Sequence, residues 1–249
     1  MKNLRWLLFP FSLLYGLVVI IRNWCYDGGI LKSRSFSIPV ISVGNLDVGG
    51  AGKSPMTEYL VRLLKDHHQL ATLSRGYGRE TKGYLTATAD TSANEIGDEP
   101  AQFKHKFPDV TVAVCEKRVE GIRQLITSGH KLILLDDAYQ HRAVKPGLSI
   151  LLFDYNRINE PHWLLPAGNM REPFSGRWRA DIIVISKCLE QLSDDEKNAI
   201  AERIGGLPYQ SLFFTTVSYC SFEDREGKRT NTPIDADTTV FLLTGIANP

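Results

Sequence analysis

A chain of 249 residues, 43% hydrophobic and 23% charged, holds enough apolar content for a sizeable core, which excludes a disordered or fibrous protein. The formal net charge of +1 excludes the basic surplus that bulk attraction to nucleic acid requires, and no nucleic-acid partner is expected. Four cysteines (Cys25, Cys115, Cys188 and Cys220) are scattered without a CxxC pair, which argues against a zinc site or disulfide framework and suits a reducing compartment.

The chain opens on an uncharged apolar run, Trp6 to Ile21, with Lys2 and Arg5 before it and Arg22 after it. As a helix the run would be roughly 24 Å long, short of a hydrocarbon core of ~30 Å. Trp6, Tyr15, Trp24 and Tyr26 suit a bilayer interface. A signal peptide is the competing reading, but "RNWCYDGG" is a poor cleavage site; a buried core helix is the third. A membrane-associated helix over 1–28 is the expectation.

Beyond it, "SIPVISV", "QLATLS", "VTVAVC", "KLILLDD", "LSILLFD" and "ADIIVISK" read as short buried strands. Helical patterns fall between several of them. "SPMTEYLVRLLKDH" places Met56, Tyr59 (or Leu60) and Leu63 on one face; "KRVEGIRQLITSG" stops at Gly129; "SDDEKNAIAERIGG" has Ser193 as cap and Gly205 beyond its end. Such alternation predicts an α/β fold, a mainly parallel sheet sandwiched by helices, over a core domain of residues 29–210.

Three motifs carry chemistry. In "ISVGNLDVGGAGKSPMTEYL" a strand runs through a glycine-rich turn into a helix that begins Lys-Ser. Backbone amides exposed by Gly49, Gly50 and Gly52 ahead of a helix N-terminus make an anion site. Lys53 would then reach the β- and γ-phosphates, and Ser54 would offer a hydroxyl to Mg²⁺. The general phosphate-loop pattern asks for glycine where this chain has Asp47, so Asp47, Val48 and Ala51 join the candidate loop as a near miss. Next, "NEIGDEPAQF" sets Asp98 and Glu99 between a glycine and a proline at a helix start, where Asp98 is a candidate general base; acids also favour helix starts for dipole reasons. Finally, "KLILLDDAYQHR" closes an apolar strand with Asp136 and Asp137, candidates for the metal side, followed by Gln140, His141 and Arg142, which can touch phosphate.

These motifs, in this order, resemble the tetraacyldisaccharide 4′-kinase family, membrane-bound enzymes that phosphorylate the lipid A disaccharide precursor. The resemblance runs along nearly the whole chain. It covers the apolar N-terminal helix, "VGNLDVGGAGKSP", "LSRGYGR", "GDEP", "DDAYQHR" and "LLPAGNMREP". The family pattern does not place glycine at the Asp47 position either. Small departures are Ser54 for threonine, Ala138 and Tyr139 for glycine and phenylalanine, and Asn169 and Met170 for proline and leucine. The resemblance implies a P-loop fold, ATP and Mg²⁺, and transfer of the γ-phosphoryl group to the 4′-hydroxyl of an acylated glucosamine disaccharide 1-phosphate. It implies Lys53 and Asp98 as catalytic residues, and Ser54, Asp136 and Asp137 on the metal. Gln140, His141 and Arg142 would line the nucleotide site. Arg75, Tyr77, Arg79 and Arg171 would contact the acceptor. It also implies docking at the cytoplasmic face of the inner membrane. Residues 211–249 would then be a β-type linker and the first strand of a second, smaller α/β domain. In the family that domain brings a histidine to the acid matched by Asp98, and no position here receives it, so the chain is expected to be a fragment.

Other classes fit less of the chain. A GTP-binding switch would want aspartate where "ISKCLE" has Leu189. An ATP-dependent ligase of the same broad fold would not predict "SRGYGR" or the apolar helix. A structural membrane module would leave both Lys53 and the acid pair without a role.

Overall fold

The computed structural model describes residues 2–218. All six expected strands form: β1 (Val40–Asn45), β2 (Leu70–Ser74), β4 (Thr111–Val114), β5 (Leu132–Asp136), β6 (Leu148–Asp154) and β7 (Ile182–Cys188). Two edge strands complete the sheet, β3 (Leu85–Thr86) and β8 (Ser211–Thr216). The eight strands lie in the order β3-β4-β2-β5-β1-β6-β7-β8, every neighbouring pair parallel except β3 with β4. This is the α/β fold with a mainly parallel sheet that the alternating pattern implies. The sheet takes in six residues beyond position 210, the expected start of the linker, because Ser211–Thr216 pairs with β7. The rest of the expected linker and the first strand of a second domain, from residue 219 on, lie outside the described residues.

Alternate side chains of the strands bury under helices on opposite faces. On one face Val43, Leu134, Leu152 and Val184 pack with Leu60 and Val61 of α2 (Lys53–Leu64) and Phe103 of α4 (Asp98–Lys106). On the other, Leu73, Ile133 and Leu135 pack with Ile122 and Leu125 of α5 (Arg118–Thr127), while Leu151 and Ile183 meet Ile200 and Ile204 of α6 (Asp194–Ile204). A one-turn helix, α3 (Ala93–Ile96), leads into α4. The expected stops hold. Ser193 and Glu196 form a capping box at α6, and Gly205 (φ +55°) ends it.

The inward face of α2 differs in part from the expectation. Thr57, Leu60 and Val61 are buried, whereas Tyr59 and Leu63 are more than half exposed. The helix turns to bring Thr57 over the end of β5, where its hydroxyl donates to Asp136 Oδ1 at 3.0 Å. Leu60 and Val61, with Met56 and Leu64 packed beside them, supply the apolar contacts of that face, and Thr57 adds the hydrogen bond.

The N-terminal helix, α1 (Phe9–Asp27), starts later and ends later than the apolar run. Pro10 sits in its first turn, Lys2–Leu8 form a 3₁₀ segment before it, and Gly28 caps it. Only Ser12, Gly16 and Val19 of α1 are buried, and Leu13, Leu14, Leu17, Val18, Ile20 and Ile21 remain at least 50% exposed. The stretch Arg5–Asp27, 23 residues containing an 18-residue window of mean hydropathy 1.6, is long and apolar enough to cross a membrane by length and composition.

Parallel strands put their carboxyl ends on one edge, so the loops after β1, β2, β5, β6 and β7 meet there. Gly44 enables the closest of these meetings. A Cβ on it would lie 2.6 Å from Tyr139 Cβ and 3.0 Å from the Tyr139 backbone nitrogen. We therefore expect Gly44→Ala to cost about 1–3 kcal/mol through overpacking, read as a lower urea midpoint with an unchanged slope.

Candidate active site

The loop between β1 and α2 takes positive φ at Gly49 (+129°) and Gly52 (+80°), the two places where glycine is required. Asp47 is not among the positive-φ residues. It lies in an extended stretch bridged to Met170, with Val48 N–H donating to Asn169 O at 2.7 Å and Arg171 N–H to Leu46 O at 2.7 Å. Any L-residue adopts that conformation, so the departure from the general phosphate-loop pattern costs nothing in backbone strain. The Asp47 carboxyl is half-buried, and desolvation pushes its pKa up.

Lys53 opens α2 directly after Gly52. Its ammonium donates to Asn45 Oδ1 at 3.1 Å and to Gly49 O at 3.5 Å, and it lies 3.7 Å from Asp137 Oδ1. Arg171 closes the same group. Its guanidinium takes Asp137 bidentately, at 3.1 and 2.8 Å, and also donates to Asn45 Oδ1. Asp137 is held in the left-handed region (φ +46°). Burial opposes its ionisation, but Arg171, Lys53 and Arg118 together hold the carboxyl below its ordinary value.

Asp136 sits beneath this layer at the end of β5 and is buried. Desolvation first, then the nearby Glu99 and Asp137 charges, raise its pKa from 3.8 to about 6, against the Thr57 hydrogen bond and Lys53. Glu99 reaches the loop from the start of α4, accepting from Ser54 Oγ at 3.2 Å. Asp98 is its exposed neighbour. The segment carrying both acids is pinned against the loop after β2. A Cβ on Gly97 would meet Tyr77 O at 2.8 Å, and one on Gly76 would meet Ile96 O at 2.8 Å. Arg75 and Tyr77 of that loop are exposed, Tyr77 to 90%.

Several expected roles change. Arg79 is a structural cation. Its side chain is 2% exposed, ion-paired to Glu116 and bonded to Gly83 O, so it faces no acceptor. Arg142 points to α1, donating to Asp27 Oδ1 at 2.6 Å and Asn23 O at 2.9 Å. Gln140 uses its amide on Asn45 O (2.8 Å) and Glu172 Oε1 (3.0 Å), which makes it a brace for the loop. His141 is half-buried; desolvation and the charges of Arg118, Arg75 and Arg22 bring its pKa down to about 4, so it is neutral at pH 7. In each case the residue lies near the site, but its partners are set by chain segments distant in sequence.

Other residues enter that the sequence did not single out. Thr57 lies three residues after Ser54 on the same helix face, a spacing that would have signalled it. Asn45 ends β1 and binds both cations. Lys187 (φ +57°) at the end of β7 donates to Gly50 O at 2.5 Å and Asp154 Oδ2 at 2.9 Å, and Ser186 Oγ donates to Ala51 O at 2.8 Å. The loop is thus clamped from both sides. Three cysteines, Cys25, Cys115 and Cys188, are free thiols; Cys220 lies outside the described residues.

The arrangement suits a polyanion that needs a cation. Three carboxylates (Glu99, Asp136 and Asp137) adjoin a loop of open amides, with Lys53 and Arg171 over them. Asp136 binds its proton more tightly folded than unfolded, so its contribution to stability is full below pH about 4 and is lost as pH rises through about 6. With metal and nucleotide removed, Asp136→Asn should gain about 2–3 kcal/mol on the wild type between pH 4 and 7, read by denaturant unfolding at the two pH values.

Comparison with known proteins finds relatives along nearly the whole chain. The profile of the family described as tetraacyldisaccharide-1-P 4′-kinase matches residues 4–249. The tetraacyldisaccharide 4′-kinase of Bacteroides thetaiotaomicron is 45% identical over 258 residues, covering 98% of this chain and 68% of that protein. Those of Phocaeicola vulgatus and Flavobacterium johnsoniae are each 47% identical over 252 residues, covering 98% and 100% of this chain and 69% and 74% of theirs. Among solved structures, LpxK from Aquifex aeolicus in complex with ATP superposes with a TM-score of 0.69 at 32% identity, covering 90% of this chain and 86% of that one.

Proposed function

The chain belongs to the tetraacyldisaccharide 4′-kinase family, and from that premise we propose that the β1–α2 loop binds ATP and that the site passes its γ-phosphoryl group to the 4′-hydroxyl of an acylated disaccharide 1-phosphate. The observation that carries this reading is the position of Lys53. Its ammonium stands between the loop carbonyl of Gly49 and the Asn45 and Asp137 side chains, where phosphate oxygens would replace those contacts.

Transfer breaks the bond from the γ-phosphorus to the ADP oxygen and forms one from phosphorus to the acceptor oxygen. The acceptor's hydroxyl proton passes to Asp98. Little covalent help is needed, so alignment and charge stabilisation supply the rate. Amides of Gly50, Gly52 and Lys53 face the phosphates, and Lys53 and Arg171 balance the charge that builds on them. Arg75 and Tyr77, exposed on the loop after β2, form the side from which the acceptor enters.

The donor set also fits Mg²⁺, a hard cation that takes few protein oxygens and keeps water and phosphate for the rest. Among the described residues no group of three or more His, Cys, Asp or Glu is placed to hold a metal without further ligands. Asp137 is already taken bidentately by Arg171, which leaves Asp136, Ser54 and Glu99 as the holding groups. When bound, the ion would neutralise charge on the β- and γ-phosphate oxygens. A cation would also offset the desolvation, and the smaller repulsion from Glu99 and Asp137, that hold the Asp136 pKa near 6.

Membrane docking completes the proposal. The exposed apolar face of α1, about 28 Å long, would lie in or across the inner membrane with the site at its cytoplasmic face. An acceptor with several acyl chains could then be phosphorylated while its chains remain in lipid.

The direct test supplies the chain in detergent with labelled ATP, Mg²⁺ and the acylated disaccharide 1-phosphate. A labelled bisphosphorylated lipid is expected. No product here, with product from the Bacteroides thetaiotaomicron relative alongside, would overturn the proposal. Lys53→Ala should weaken ATP binding at least about tenfold by titration calorimetry, the loss expected for charge-assisted bonds. Asp98→Asn should lower kcat by about 10²-fold or more and leave ATP affinity in place.

A further inference from the structure

One narrow face of α1 touches the body; its far end meets Gln140 and Arg142, and the rest of its contacts fall on the loop that carries Arg171. Ser12, Tyr15, Gly16, Val19 and Asn23 recur at helical spacing along this face. Ser12 Oγ accepts from Ala167 N at 2.9 Å, and Tyr15 OH donates to the backbone oxygen of Arg171 at 2.7 Å. A Cβ on Gly16 would meet Leu164 Cδ1 at 2.7 Å, so the loop lies flat against the helix there. Asn23 donates to Glu172 Oε2 at 3.3 Å. Ahead of α1, Arg5 donates to the carbonyls of Pro166 and Gly168.

The other end of this chain of contacts is the phosphate site. Arg171 holds Asp137 and Asn45, and both touch Lys53. We infer that Tyr15, with Ser12 one turn before it, is a positioning residue for Arg171, so that the seating of α1 sets the geometry of the phosphate site. The helix is therefore more than an anchor. Its exposed apolar side and its loop-facing side belong to one helix, and a displaced α1 would take away the bond to the Arg171 carbonyl and leave the backbone held there only by its N–H to Leu46 O. The inference rests on the proposed kinase reading only for the guanidinium's place in turnover; the hydrogen-bond path is independent of it.

Two readouts on the full chain test it. Amide hydrogen exchange over residues 163–172 is compared between wild type, Tyr15→Phe and Tyr209→Phe. The last removes a tyrosine hydroxyl that also donates to a backbone carbonyl, Trp178 O, outside residues 163–172. Turnover and ATP KM are measured on the same proteins, with vesicle pelleting as a check on α1. Tyr15→Phe should raise exchange in the loop and lower kcat about fivefold, the effect of one lost hydrogen bond, with ATP KM and pelleting unchanged. Tyr209→Phe should do neither. Unchanged exchange overturns the coupling, and so does raised exchange with unchanged kcat. If the wild type transfers no phosphate while Tyr15→Phe still raises loop exchange, the kinase reading falls and the structural coupling stands.

Discussion

The site depends on a charge that the fold leaves unbalanced. Asp136 is buried at the end of the β5 strand with Glu99 and Asp137 close by, and its own hydrogen bond to Thr57 does not offset the desolvation. Above it Lys53 and Arg171 are tied to Asp137 and Asn45, so most of the positive charge is committed to the upper layer. A carboxylate in this setting either takes up a proton or gains a cation. The glycine-rich loop beside it, with a lysine at a helix start, suits an anion that brings such a cation. Each half of the site makes sense of the other.

The scaffold holds this arrangement by bringing together loops from distant parts of the chain. The β1–α2 loop is clamped by Lys187 and Ser186 on one side and by the 169–171 strand segment on the other. That segment is in turn tied to the N-terminal helix. An apolar element suited to lipid and a polar site suited to phosphate are therefore three residue contacts apart. For an enzyme whose acceptor is half lipid and half sugar phosphate, such closeness is a physical advantage.

Much of this was legible in the sequence. Strand periodicity located six of the eight strands, and the order of the motifs placed the loop, Lys53, Asp136 and Asp98 at one edge of a parallel sheet. What stayed hidden were partners set by tertiary contact. Arg79 and Arg142 are cations in conspicuous motifs, yet one is neutralised by Glu116 and the other by Asp27 in the N-terminal helix. A guanidinium's partner across 37 or 115 residues leaves no local signal. The face of the α2 helix was read in part: of Met56, Tyr59 (or Leu60) and Leu63, Leu60 is buried and Met56 packs on the core, while Tyr59 and Leu63 are exposed and Thr57 turns to the buried acid. Asp47 is the reverse case, a mismatch in pattern that the extended backbone makes harmless.

The central claim is that phosphate oxygens lie in the loop from Gly49 to Ser54. Backbone amide shifts of the ¹⁵N-labelled chain, recorded on adding Mg²⁺-ATP and separately adenosine, test it most directly. The account predicts large shifts at Gly50, Gly52, Lys53 and Ser54 with the nucleotide and none there with adenosine. Equal responses to both ligands, or shifts confined to other segments, would contradict it.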